Sequence, residues 1–149
     1  MSASPDSAPS QFPSEPTTFF LPGPAGRLEV AVDLPEPACA RPAVAIICHP
    51  LPTEGGTMHN KVVTITERAL RELGAKTVRF NFRGVGESEG EFDNGRGETL
   101  DLLAVAEWVR KVLPDHDLWL AGFSFGAYIS LLAARHQPVK QMISIDPPA

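Results

Sequence analysis

The sequence predicts an α/β fold, a mostly parallel sheet with helices on both faces, and three observations carry that prediction. Short apolar runs of strand character alternate with amphipathic helix patterns along the chain. The run at residues 43–48 (AVAIIC) is continuously apolar, as in strands covered on both faces. The segment at 120–128, LAGFSFGAY, sets Ser124 between Gly122 and Gly126 where a strand pattern gives way to a helix pattern.

Taken in order, the first sixteen residues, MSASPDSAPSQFPSEP, hold five Ser and four Pro and are expected to form a disordered tail (1–16) ahead of one domain at 17–149. They contain no Lys or Arg, so neither a secretory nor a transit peptide is expected, and no apolar run approaches membrane-spanning length. The expectation is a cytoplasmic protein without membrane contact. A net charge of −5 with interspersed acids and bases argues against a nucleic-acid partner. Cys39 and Cys48 form neither a disulfide framework nor a metal-ligand spacing and are read as free thiols.

Residues 18–34 give two extended segments around a Gly/Pro turn, an antiparallel pair at a sheet edge. After the central strand at 43–48 comes the loop HPLPTEGGTMHN. A helix pattern follows, with Val62, Ile65, Thr66, Ala69, Leu70 and Leu73 on one face and Gly74 as its stop. Residues 76–82 (KTVRFNF) alternate as a strand and lead into a Gly-rich loop, RGVGESEGEFDNGRG. The next helix buries Leu102, Val105, Ala106, Val109 and Leu113, with Glu98 and Asp101 near its start and Arg110 and Lys111 in its last turn. A strand at 117–121, a helix at 127–135 and a strand at 141–145 (QMISI) complete the alternation.

Sheets of this kind bind ligands at the carboxyl ends of their strands. Four segments converge there: the loops starting at His49 and Arg83, the elbow at Ser124, and Asp146. In a G-x-S-x-G elbow the serine sits on a strained turn that lifts its hydroxyl above the sheet, which makes Ser124 the candidate nucleophile. Its oxyanion donors are assigned to the backbone N–H groups of Phe125, the residue after the serine, and of Leu51, since Pro50 has none. The string GVGESEG lacks the spacing of a dinucleotide fingerprint, and no cofactor or metal is expected. Arg83 and Glu87 are candidates for an anionic substrate group, a loop salt bridge being the commoner role of such a pair.

Three motifs in this order, HPLPTEGGTMHNKVV from His49, FNFRGVGESEGEFDNGRGE from Phe80 and GFSFGAY from Gly122, resemble the α/β-hydrolase superfamily. Within it they resemble the small lidless serine hydrolases related to dienelactone hydrolases and esterases. The resemblance implies a three-layer α/β-hydrolase-type sandwich with an antiparallel N-terminal pair. It also implies an acyl-enzyme on Ser124 formed from a small ester, thioester or amide, and the chain order Ser, then acid, then His. This chain ends at Ala149, after the strand that follows the elbow helix. The last strands and the triad histidine of the family are therefore expected to be missing, as in a C-terminally truncated form.

The four histidines offer poor substitutes. His116 precedes the elbow strand and lies at the opposite sheet edge, and His136 closes the elbow helix about 18 Å away. His49 and His59 lie on the correct edge, so His49 is carried as a candidate base, although a His-Pro pair there more often fixes the loop. Asp146 is the candidate acid, with a turn role before Pro147 as the plainer reading. Loss of a triad member costs on the order of 10⁶ in turnover, so impaired catalysis is expected. The alternative is a non-catalytic binding protein, a homo-oligomer for instance, that pairs the bare sheet edge at 141–145 with a partner.

Overall fold

The computed structural model describes residues 8–146. Six strands form one sheet in the order β1-β2-β4-β3-β5-β6. They are β1 (Thr17–Gly23), β2 (Gly26–Asp33), β3 (Ala43–Cys48), β4 (Lys76–Phe80), β5 (Asp117–Phe123) and β6 (Gln141–Ile145). The first two pair antiparallel, β2 pairs antiparallel with β4, and β4, β3, β5 and β6 run parallel. Three helices cover the sheet: α1 (Lys61–Glu72), α2 (Arg96–Val112) and α3 (Phe125–Ala133).

All six residues of β3 are buried, and the pleat divides them between two cores. Val44, Ile46 and Cys48 join Phe80, Leu120, Val105 and Ile129 on the α2/α3 face. Ala43, Ala45 and Ile47 meet Val63 and Leu70 of α1 on the other. This is why the strand shows no polar alternation, and it puts the end of β3 at the centre of the carboxyl edge.

Three expectations need correction. The first concerns α1, which buries Val63, Glu67 and Leu70 while Ile65 and Leu73 stay 58% and 54% exposed. The expected apolar face is rotated because Glu67 occupies the buried stripe. Thr77 Oγ1 donates to its carboxylate at 2.6 Å and Arg71 Nε at 2.8 Å, and a buried charge so partnered is tolerated.

The second concerns the tail. Residues 1–7 lie outside the described residues, but 8–16 are not disordered. Phe12 stacks on Trp108 with ring centroids 5.9 Å apart, and the Trp108 indole N–H donates to the Pro9 carbonyl at 2.9 Å. One aromatic in a Pro/Ser-rich stretch supplies an anchor that composition averages away.

The third is the strand expected at 76–82, which stops at Phe80, although the Asn81 N–H still donates to the Glu29 carbonyl of β2 at 3.0 Å. The Gly-rich segment after it is tied to α2 through Arg83. The Arg83 guanidinium meets Asp101, which is fully buried, at 2.8 Å and donates to the Gly97 carbonyl at 2.9 Å. A Cβ at Gly97 would collide with that guanidinium. Arg83 thus forms a salt bridge with α2, while Glu87 lies 3.5 Å from Arg27 of β2. Glu98 starts α2 by accepting from the amides of Gly95 and Asp93, at 2.9 and 2.8 Å.

Candidate active site

Ser124 occupies the turn between β5 and α3 with φ 54° and ψ −115°, a backbone conformation that costs a non-glycine residue on the order of 1–3 kcal/mol. The surroundings hold it there. Its N–H donates to the Ile145 carbonyl at 2.9 Å, and its carbonyl accepts from Ala127 and Tyr128 to start the helix. A Cβ at Gly122 would strike the backbone of Gly126, and one at Gly126 would strike the carbonyls of Cys48 and His49. The two glycines therefore let α3 cross β5 and press against the end of β3. Among the described residues Ser124 Oγ has no hydrogen-bond partner.

The Phe125 amide follows the serine at the first turn of α3, where N–H groups lack helical acceptors and carry positive partial charge. Its ring packs edge-on to Phe82 at 5.8 Å and against Phe92 at 5.9 Å. Leu51 lies on the loop that the Gly126 contact brings beside the elbow. Its carbonyl accepts from Glu54 and Gly56 at 3.0 Å each, closing a tight 3₁₀ turn at Pro52–Glu54. Neither the Leu51 nor the Phe125 N–H has an acceptor among the described residues.

His49 is fully buried and both of its ring nitrogens are engaged. Nδ1 donates to the Pro50 carbonyl at 2.7 Å and Nε2 accepts from the Phe82 N–H at 3.1 Å, which fixes a neutral tautomer. Burial lowers its pKa to about 4. The candidate base role is corrected here, since no nitrogen is left to receive a proton from Ser124. His59 is exposed just before α1, and His136 is exposed after α3. His116, at the opposite sheet edge, accepts from Lys76 Nζ at 3.0 Å. Asp146 is exposed with φ 45° and follows the Ile145 carbonyl that anchors Ser124, so it stands beside the elbow. Burial pushes the Cys48 thiol up to about 12, which leaves it unreactive.

The residue that sequence reasoning passed over is Asn81. Its position read as a polar strand site, yet it is 2% exposed and its Oδ1 accepts from the Met58 amide at 2.8 Å. The signal for it was the motif FNFRGVGES, which brackets it with aromatic and glycine residues.

A cavity of about 310 Å³ lies between residues 8–10, β1 and α2, and another of about 210 Å³ lies by Arg110, His116 and Lys140. Neither is lined by Ser124. Among the described residues no helix is long and apolar enough to cross a membrane, and no three His, Cys, Asp or Glu side chains gather to hold a metal ion.

The alpha/beta hydrolase fold matches this chain over residues 45–149. The chain belongs to that family. A solved α/β serine hydrolase without lid from Xanthomonas campestris is 62% identical and superposes with a TM-score of 0.91, covering 93% of this chain and 64% of that one. A solved α/β serine hydrolase homologue from Coxiella burnetii is 53% identical with a TM-score of 0.89, at 93% and 66% coverage. An uncharacterised Rickettsia prowazekii protein is 37% identical over 132 residues, 87% of this chain and 55% of its own length. The chain thus spans less than two thirds of the length of these relatives.

Proposed function

We propose that this chain is the nucleophile- and oxyanion-bearing part of a serine hydrolase that acts on a small ester, thioester or amide. Ser124 Oγ attacks the acyl carbonyl and the leaving group departs with a proton, giving an acyl-enzyme that water then cleaves. The amides of Phe125 and Leu51 hold the oxyanion, and Asp146 is the candidate for the acid that orients a histidine. The observation that carries this reading is the strained Ser124 backbone, φ 54° and ψ −115°, followed by a Phe125 amide that has no acceptor among the described residues. Turnover by these 149 residues is slow in this reading, because none of the four histidines is set to take the serine proton. The two free thiols fit a reducing compartment, which supports a cytoplasmic setting.

Fluorophosphonate labelling read by intact mass tests it. The chain alone should label slowly on Ser124, and a chimera carrying the C-terminal segment of the Xanthomonas campestris hydrolase should label fast. No adduct in either overturns the enzyme reading.

A second reading rests on β6. Among the described residues it pairs with β5 alone, and Met142, Ile143 and Ile145 are half-buried along it. As a binding module the chain would add a partner strand there, in a homo-oligomer for instance. A monomeric mass by light scattering across a hundredfold concentration range would remove the homo-oligomer.

A further inference from the structure

The loop at residues 49–60 carries Leu51, and both of its ends are fastened to the exit of β4. At the first end His49 Nε2 accepts from the Phe82 N–H. At the second the Met58 backbone is held on both sides: its N–H donates to Asn81 Oδ1 at 2.8 Å and its carbonyl accepts from Arg79 Nη1 at 2.7 Å. Met58 itself is 1% exposed.

Asn81 is in turn fixed from β2. Its Nδ2 donates to Glu29 Oε1 at 2.8 Å, its N–H donates to the Glu29 carbonyl at 3.0 Å, and its carbonyl accepts from Ser88 Oγ at 2.7 Å. A carboxylate only accepts, so Glu29 dictates that the amide nitrogen faces it and that Oδ1 faces Met58. A Cβ at Gly86 would come within 2.7 Å of Glu29 Oε1, so the glycine leaves room for this bond. The motif FNFRGVGES thereby acquires a physical meaning: Phe80 and Phe82 fill the core, Asn81 holds the neighbouring loop, and Gly86 and Ser88 hold Asn81.

We propose that Asn81 is a positioning residue for the oxyanion loop, setting the height of the Leu51 amide through its bond to the Met58 amide. The inference rests on the reading of Ser124 as nucleophile and Leu51 as donor. Asn81 touches no substrate; it acts through the loop.

The test uses the 149-residue chain as wild type, Asn81→Ala and Asn81→Asp. Fluorophosphonate labelling of Ser124 is followed by intact mass at pH 5.5 and 9, with the folded fraction read by near-UV circular dichroism under the same conditions. Asn81→Ala should label at least tenfold more slowly while folded, short of the roughly 10² to 10³ lost with a donor itself. In Asn81→Asp the introduced carboxylate faces Glu29 from β2, with Arg79 the nearest cation on β4, and can hold the bond to Glu29 only when protonated. Its labelling rate relative to wild type should therefore be low at pH 9 and recover at pH 5.5, a dependence that a purely structural role would not produce.

Labelling of folded Asn81→Ala at the wild-type rate, or a pH-independent ratio for Asn81→Asp, overturns the positioning role and leaves the nucleophile reading intact. Absence of labelling in the wild type and in the chimera overturns the nucleophile reading and this inference with it. If neither variant folds, hydrogen exchange on the wild type decides. The Met58 amide should exchange among the slowest of the loop, and fast exchange there overturns the proposal.

Discussion

The Ser124 N–H donates to the carbonyl of Ile145 at 2.9 Å, so the elbow is tied to the end of β6 as well as to its own strand and helix. Ser124 is thereby kept in a conformation that glycine adopts more readily. Ser124→Gly should relieve that strain and raise stability by about 1 kcal/mol, or roughly 2–4 °C in Tm, while abolishing fluorophosphonate labelling. Thermal melts and mass spectrometry on the same sample check both halves.

Leu51 has φ −54° and ψ 121°, a polyproline-like conformation that proline can share. Leu51→Pro should therefore keep the loop and delete only the proposed donor, lowering the Ser124 labelling rate by about 10² to 10³. Leu51→Ala keeps the amide and should stay within a few fold of wild type. Equal rates for the two variants would move the oxyanion assignment elsewhere.

His49 makes the fold acid-sensitive. Its pKa is about 4 in the folded chain against 6.5 in the unfolded, so the unfolded state takes up the proton first. Its contribution is fully present above pH 6.5 and is lost as pH falls through 4, a difference of about 3 kcal/mol. A proton on Nε2 also breaks the bond from Phe82. Urea titrations from pH 7 to 4 should show the midpoint falling, and the fall should be blunted in His49→Gln.

Removing residues 1–13 should destabilise the domain by about 1–2 kcal/mol. The truncation exposes Trp108 where Phe12 stacks and leaves its indole N–H without the Pro9 carbonyl. A truncated chain with an unchanged urea midpoint would refute this.

The order of strands and helices was legible because each carried its own signal: the unbroken AVAIIC run, the glycines around Ser124, the stop at Gly74. The convergence of the β3 loop, the elbow and Asp146 followed from that order alone. What periodicity could not reveal were positions where a polar partner overrides it. Glu67 enters the buried face of α1 because Thr77 comes from a strand ten residues away to meet it, and Asn81 turns inward because Glu29 lies 52 residues upstream. Such bonds depend on sheet register, which a single strand does not encode. Phe12 escaped for the opposite reason, being one informative residue inside an uninformative stretch.

The loop that carries Leu51 is clamped at His49 and Met58, yet its tip at Thr53, Glu54 and Gly55 is exposed, and a Cβ at Gly55 would meet nothing within 4 Å. Fixed ends and a free crown make this segment a natural place for diversification. Residues inserted at the crown would leave both clamps in place. A library randomised at Thr53 and Glu54, with Gly55 kept because its φ of 81° favours glycine, should therefore retain folding in most members.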